Sequence, residues 1–310
     1  GEVGVRRVPV AIWMGLTHST SNALAVLPVT RSGSRSLDVP AVDIFNLLQD
    51  FRVLSLLVDV RLPGAFEESH VDGATVNGPP AADLVSAKFA DVNVQTNVSE
   101  PFVLIICYGD GTASSVTRTR RNFELAARKF RPFRISRVLS FRFEDFKQEF
   151  PFACSDFPGF EASRIFPSKV ASGLFLGHWA LASDAFVVKS CLQATHVVNC
   201  TAQLPSCFEG EGIEYMRVPL EDEQNEQLGP HLPEVTAFIT AALKGGGTVL
   251  LHCKHGQSRS ASVAAAWLMR SNGWTLDQSL EHLRQCRSRV KPNPGFMQQL
   301  DLFQQSLPLY

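Results

Sequence analysis

The sequence predicts an α/β fold in two domains, and three observations support that prediction. Short apolar runs of strand length alternate with amphipathic helical stretches along most of the chain. Its 310 residues suit two domains of about 150 each. The segment 152–167, with Pro158, Gly159 and Pro167 among scattered aromatics, interrupts the alternation and reads as the linker between them. Strands alternating with helices imply, in each half, a parallel sheet covered on both faces.

Composition narrows the class. A chain that is 45% hydrophobic and 19% charged is globular and has apolar material for a core in each half. Lys and Arg (29) balance Asp and Glu (30), so a net charge of −1 gives no global pull toward nucleic acid or an anionic membrane. No apolar run approaches the ~20 residues of a membrane-spanning helix. The 7 cysteines are unevenly spaced, without metal-ligand spacing or a disulfide framework. A reducing compartment follows, and the cytoplasm is the expected location. Residues 1–36 are read as an N-terminal extension without fixed structure. They contain Arg6, Arg7, Arg31 and Arg35 against one acid, Glu2, and are rich in Ser and Thr. That composition also resembles a mitochondrial presequence, which makes the mitochondrion the alternative location.

The first domain is placed at 37–151. Asp38-Val39-Pro40 ahead of Val42, Ile44, Phe45, Leu47 and Leu48 predicts a capped amphipathic helix. Strands are expected at 56–60, 104–106 and 135–139, with a helix at 113–129. The second domain is placed at 168–310. Strands are expected there at 173–176, 195–199, 213–219 and 247–252, and helices at 181–191, 231–244, 259–272, 275–287 and 295–306.

One stretch of the second domain concentrates chemistry: Thr248-Val-Leu-Leu-His252-Cys253-Lys254-His255-Gly256-Gln257-Ser258-Arg259-Ser260. An apolar strand ends at Cys253, and a helix opens six residues later at Arg259. Helix N-termini present unpaired N–H groups and partial positive charge, and a loop curled around an anion presents several such groups at once. Lys254, His255, Gly256, Gln257 and Ser258 form that loop, Gly256 permits a backbone shape that side chains resist, and Arg259 adds a bidentate clamp. The same surroundings lower the pKa of Cys253 from about 8.5, so that a thiolate faces phosphorus.

Residues 252–260 resemble the His-Cys-x-x-Gly-x-Ser-Arg-Ser signature of dual-specificity protein phosphatases. The resemblance extends over nearly all of 168–307. Ser172-Gly-Leu-Phe-Leu-Gly177, Thr195-His-Val-Val-Asn199, Tyr215-Met-Arg-Val-Pro-Leu-Glu-Asp222 and Lys291-Pro-Asn293-Pro-Gly-Phe296 each look like family segments. It implies a cysteine-phosphatase α/β domain with a central, mostly parallel sheet and no cofactor or metal. It implies Cys253 as nucleophile, Arg259 as phosphate clamp, Asp222 on a mobile loop as general acid and base, and Ser260 as the hydroxyl that helps the thiolate leave. His252 resembles the histidine that orients the loop, and Asn199 and Asn293 resemble bracing residues. Cys200 looks like the position of a resolving cysteine in some relatives. Lys254 also occurs in members that act on phosphoinositides, which makes lipid or other non-protein phosphate the alternative substrate.

Val58-Asp59-Val60-Arg61, Phe66-Glu-Glu-Ser-His70-Val71-Asp72-Gly73-Ala74, Leu104-Ile-Ile-Cys107-Tyr-Gly-Asp-Gly111 and Arg142-Phe-Glu-Asp-Phe-Lys-Gln-Glu-Phe-Pro151 resemble rhodanese segments. A three-layer rhodanese-like α/β sandwich is therefore expected over 37–151. Asp110 beside Cys107 opposes a thiolate, so this domain is read as mainly non-catalytic. A rhodanese-like domain ahead of such a phosphatase resembles the MAP kinase phosphatases and the serine/threonine/tyrosine-interacting-like proteins. That arrangement implies phosphoprotein substrates, with a protein kinase as a partner of the first domain. However, 79–86 lacks the docking arginines of the MAP kinase phosphatases. The reading from a different class is a non-catalytic scaffold that captures phosphoproteins.

Overall fold

The computed structural model describes residues 39–49, 55–61, 63–76, 102–109, 134–162 and 164–307. The chain forms two compact units, Gly1–Arg164 and Ile165–Tyr310. The extension 1–36, the helix expected at 113–129 and the segment 79–86 lie outside the described residues. No helix among the described residues is long and apolar enough to cross a membrane.

The first unit contains a parallel sheet of β1 (Ser55–Asp59), β2 (Ala74–Val76), β3 (Phe102–Gly109) and β4 (Arg134–Arg142), in the order β2-β1-β3-β4. Helix α1 (Ala41–Leu48) starts after Pro40 with no side-chain cap; Asp38, expected to cap it, lies outside the described residues. It buries Ile44 and Phe45, and Phe45 stacks on Phe150 with centroids 4.0 Å apart. Two further helices are α2 (Pro63–Glu68) and α3 (Phe143–Glu149). A buried ion pair joins strand to loop. Asp59 is fully buried and receives Arg61 through Nε at 3.0 Å and Nη2 at 2.6 Å, while the guanidinium lies 3.6 Å from the Phe143 ring centroid. Removing one partner would strand the other charge in the core, at a cost of about 3–5 kcal/mol.

The segment 152–167 is not simply a linker. Phe152, Ala153 and Cys154 are buried in the first unit, and Cys154 forms an antiparallel bridge with Val71. Asp72 N–H donates to the Ala153 carbonyl at 2.9 Å, and Ser155 N–H to that of His70 at 2.8 Å. Apolar Phe152 and its neighbours gain more from burial than the nearby prolines lose in strand pairing.

The second unit is built on a five-stranded sheet: β5 (Ser168–Ala171), β6 (Leu174–His178), β7 (His196–Asn199), β8 (Glu214–Arg217) and β9 (Val249–Cys253), ordered β5-β6-β9-β7-β8. Only β5–β6 is antiparallel. All five residues of central β9 are buried, which suits the apolar run Val249–Leu251 that leads to His252 and Cys253. Around the sheet lie α4 (Trp179–Ala182), α5 (Leu232–Lys244), α6 (Arg259–Asn272), α7 (Leu276–Cys286) and α8 (Pro294–Ser306). Residues 259–269 of α6 are all buried, its run of alanines letting neighbouring elements approach from every side. The helix expected over 181–191 is instead α4 followed by a π-helical turn, Phe186–Cys191. Asp184 separates them by accepting N–H bonds from Phe186 at 2.9 Å and Val187 at 3.4 Å.

Candidate active site

β9 ends at Cys253 in the middle of the sheet, and α6 begins at Arg259, so residues 254–258 must turn tightly between them. Gly256 makes the turn possible. Its φ is +66°, and a Cβ there would stand 2.3 Å from the Gly177 carbonyl oxygen. Arg287, which the sequence reading did not single out, straps the loop from outside. Its Nε donates to the Gly256 carbonyl at 2.8 Å and its Nη2 to the His255 carbonyl at 3.3 Å. Those bonds turn loop carbonyls outward and leave the N–H groups for the interior. Lys291 N–H holds the Gln257 carbonyl in the same sense, at 2.9 Å.

The sulfur of Cys253 is 1% exposed and accepts the Gly256 N–H at 3.1 Å and the Ser260 hydroxyl at 3.2 Å. Burial by itself raises its pKa. The Ser260 hydroxyl and the N–H groups of Ser260, Gln257 and Gly256 outweigh that, and the thiol sits below its ordinary value. The site therefore favours a thiolate. His252, one residue earlier, is held neutral: burial is the main cause and Arg217 adds to it, lowering its pKa to about 4. His178, paired in register with Cys253, also falls to about 4 through burial and the positive charges of Arg287 and Arg289.

Arg259 is buried, and its Nη1 donates to the Leu220 carbonyl at 3.1 Å. Its Nε lies 3.8 Å from Asp222 Oδ2 and has no hydrogen-bond partner among the described residues. A buried guanidinium with a donor to spare beside a thiol suits an anion placed between them. Asp222, half-exposed, completes the group. Its Oδ1 accepts the Ser258 hydroxyl at 2.5 Å and the Asn293 amide at 3.1 Å.

The sequence-predicted residues thus divide. Cys253, Arg259, Asp222, Ser260, Gly256 and Ser258 come together, and Asn293 joins them. The Ser258 side chain donates to Asp222 and accepts the Asn293 N–H at 3.1 Å. Lys254 and His255 are exposed, and Gln257 is half-buried. Asn199 does not bond the loop. Its amide donates to the Leu204 carbonyl at 2.8 Å and its oxygen accepts the Thr201 hydroxyl at 2.7 Å, so it closes the 199–204 turn instead. Cys200 is fully buried after β7, beside β9, and its N–H bonds the His252 carbonyl at 2.8 Å. Burial first and neighbouring Cys253 second raise its pKa well above the ordinary thiol value.

The family described as dual specificity phosphatase, catalytic domain, matches residues 174–306. Dual specificity phosphatase 28 of Mus musculus is 37% identical over 140 residues, covering 45% of this chain and 85% of that protein. The chain belongs to the dual-specificity phosphatase family. Dual specificity protein phosphatase 1 of Arabidopsis thaliana is 36% identical over 141 residues, covering 46% of this chain and 70% of that protein. Protein phosphatase Slingshot homolog 3 of Rattus norvegicus is 39% identical over 144 residues, and there the match spans only 21% of the relative's length. The crystal structure of human DUSP28 has 36% identity and a TM-score of 0.43, covering 45% of this chain and 96% of that one. All of these matches cover less than half of the chain, a share that the second unit alone can supply.

Proposed function

We propose that the second unit is a dual-specificity protein phosphatase that hydrolyses phosphotyrosine and phosphoserine or phosphothreonine through a phosphocysteine intermediate. The lowered thiol of Cys253, beside a buried Arg259 whose Nε has no hydrogen-bond partner among the described residues, is the observation that supports this most strongly. The Cys253 thiolate attacks phosphorus. The bond from phosphorus to the substrate oxygen breaks, and protonated Asp222 gives its proton to that oxygen. Arg259 and the loop N–H groups hold the remaining phosphoryl oxygens. Asp222 then takes a proton from water, water attacks phosphorus, and the P–S bond breaks. The Ser260 hydroxyl receives the departing thiolate, and inorganic phosphate leaves.

The test pairs wild type with Cys253→Ser and Asp222→Ala on a phosphotyrosine peptide, a phosphothreonine peptide and a phosphoinositide. Equal inertness of wild type and Cys253→Ser on all three would leave a phosphoprotein-binding scaffold as the reading. Turnover of the lipid alone would favour the phosphoinositide alternative, for which exposed Lys254 and His255 are the supporting residues.

Three narrower proposals accompany this one. The first unit is rhodanese-like and non-catalytic, supported by its parallel sheet and the Asp59–Arg61 pair, with a protein kinase as its partner. The protein works in the cytoplasm, which suits a mechanism that needs a reduced Cys253. Cys200 resolves oxidised Cys253: peroxide converts the thiolate to a sulfenic acid, and Cys200 displaces water to form a disulfide. Because Cys200 is held protonated, that disulfide forms slowly. Peptide mapping after mild peroxide would show a Cys200–Cys253 crosslink, and finding only over-oxidised Cys253 would count against it.

A further inference from the structure

The loop that holds Asp222 runs between two fully buried anchors, Leu220 and Leu228. Residues 221–227 between them are mostly exposed. Within the loop the Glu221 N–H donates to Glu226 Oε2 at 3.1 Å, and buried Ser258 donates its hydroxyl to Asp222. One helix holds the loop from the side. Asn293, the N-cap of α8, donates its amide to Asp222 Oδ1 at 3.1 Å and to the Glu223 carbonyl at 3.2 Å. Gln299 grips the far end of the loop. Its Nε2 donates to the Glu226 carbonyl at 2.8 Å, and its Oε1 accepts the N–H groups of Leu228 and Gly229, each at 2.8 Å. Between these contacts the loop backbone presses onto the helix at Gly295. A Cβ at 295 would lie 1.8 Å from the Gln224 carbonyl oxygen and 2.6 Å from its carbon.

We infer that the first two turns of α8 are a clamp that sets the position of the acid, with Gly295 and Gln299 as positioning residues for Asp222. The inference rests on the reading of Asp222 as general acid. Gly295 lets the loop reach the helix surface, because any side chain there excludes the observed path of residue 224. Gln299 replaces three backbone hydrogen bonds that an irregular loop could not make internally. Neither residue touches the reacting atoms. Their effect is on where the carboxyl stands, and a displacement of about 1 Å costs on the order of 10²-fold in a positioned step.

Leaving-group dependence tests this directly. A nitrophenyl phosphate with an acidic leaving group needs little proton donation, whereas an alkylphenyl phosphate with a basic leaving group needs it fully. For Gly295→Ala and Gln299→Ala, kcat on the alkylphenyl substrate should fall by roughly tenfold or more, approaching Asp222→Ala. On the nitrophenyl substrate it should change by less than about twofold, and the pH profile of Cys253 alkylation should not move. Because each comparison is a ratio within one variant, loss of folded protein cancels. Equal losses on both substrates, or no loss on either, with Asp222→Ala still steep, would overturn the clamp and leave the acid assignment standing. A flat response in Asp222→Ala would overturn the acid assignment and the clamp together.

Discussion

Cys253 ends β9 and Cys200 directly follows the neighbouring strand β7, each almost completely removed from solvent, yet their thiols move in opposite directions. Burial raises both. At Cys253 the Ser260 hydroxyl and three N–H groups point at the sulfur and outweigh it. At Cys200 the second-largest influence is Cys253 itself, which raises the pKa further, and only Arg259 opposes it. Burial alone therefore does not make a thiol reactive or inert. What decides is whether the chain after the cysteine turns back to offer donors. After Cys253 it does, because the loop opens a helix. After Cys200 the chain runs into the turn closed by Asn199 and Thr201.

The largest test of that contrast is Cys253→Ser, which should remove turnover on phosphopeptides by on the order of 10⁴-fold or more, measured by phosphate release. Cys200 left in place should not compensate. Asp222→Ala should leave Cys253 alkylation intact while lowering kcat on basic leaving groups by about 10²–10⁴-fold. His252 extends the comparison to a base. Its pKa of about 4, against an ordinary 6.5, means that protonation favours the unfolded chain. The resulting stability is complete above pH 6.5 and lost as pH falls toward 4, amounting to on the order of 3 kcal/mol. His252→Gln should flatten that part of a denaturation-versus-pH curve. Ser260→Ala removes one donor from the sulfur. It should shift the pH profile of Cys253 alkylation upward and lower kcat by roughly tenfold, in line with one hydrogen bond to a charged group. Smallest of all, Cys200→Ala should change kcat by less than about twofold, since Cys200 gives the Cys253 sulfur no donor.

Much of the second unit was legible in its sequence. Its parallel strands, long helices and the Cys253–Ser260 loop depend on local patterns: an apolar strand, a glycine that tolerates positive φ, and an arginine that opens the next helix. The short antiparallel β5 was missed, since four residues with alternating burial give little signal. The break at Asp184 was missed because it depends on a side chain competing for two N–H groups. Asn199 was expected to brace the loop, and its side chain instead bonds Leu204 and Thr201. In the first unit, the Phe152–Cys154 segment was read as linker because its prolines were visible and its bridge to Val71 was not.

By itself the sequence determined that a cysteine ends a buried strand and an arginine starts the next helix, and so that an anion site forms between them. Local chain geometry suffices for that, because the N–H groups, the glycine and the arginine all lie within eight residues. Only the tertiary structure decided how the acid is placed. Asp222 is held by Ser258 and Asn293, at separations of 36 and 71 residues, and the end of its loop at Leu228 by Gln299, 71 residues on. Contacts over such distances depend on how α8 packs beside the loop, and no spacing along the chain encodes that.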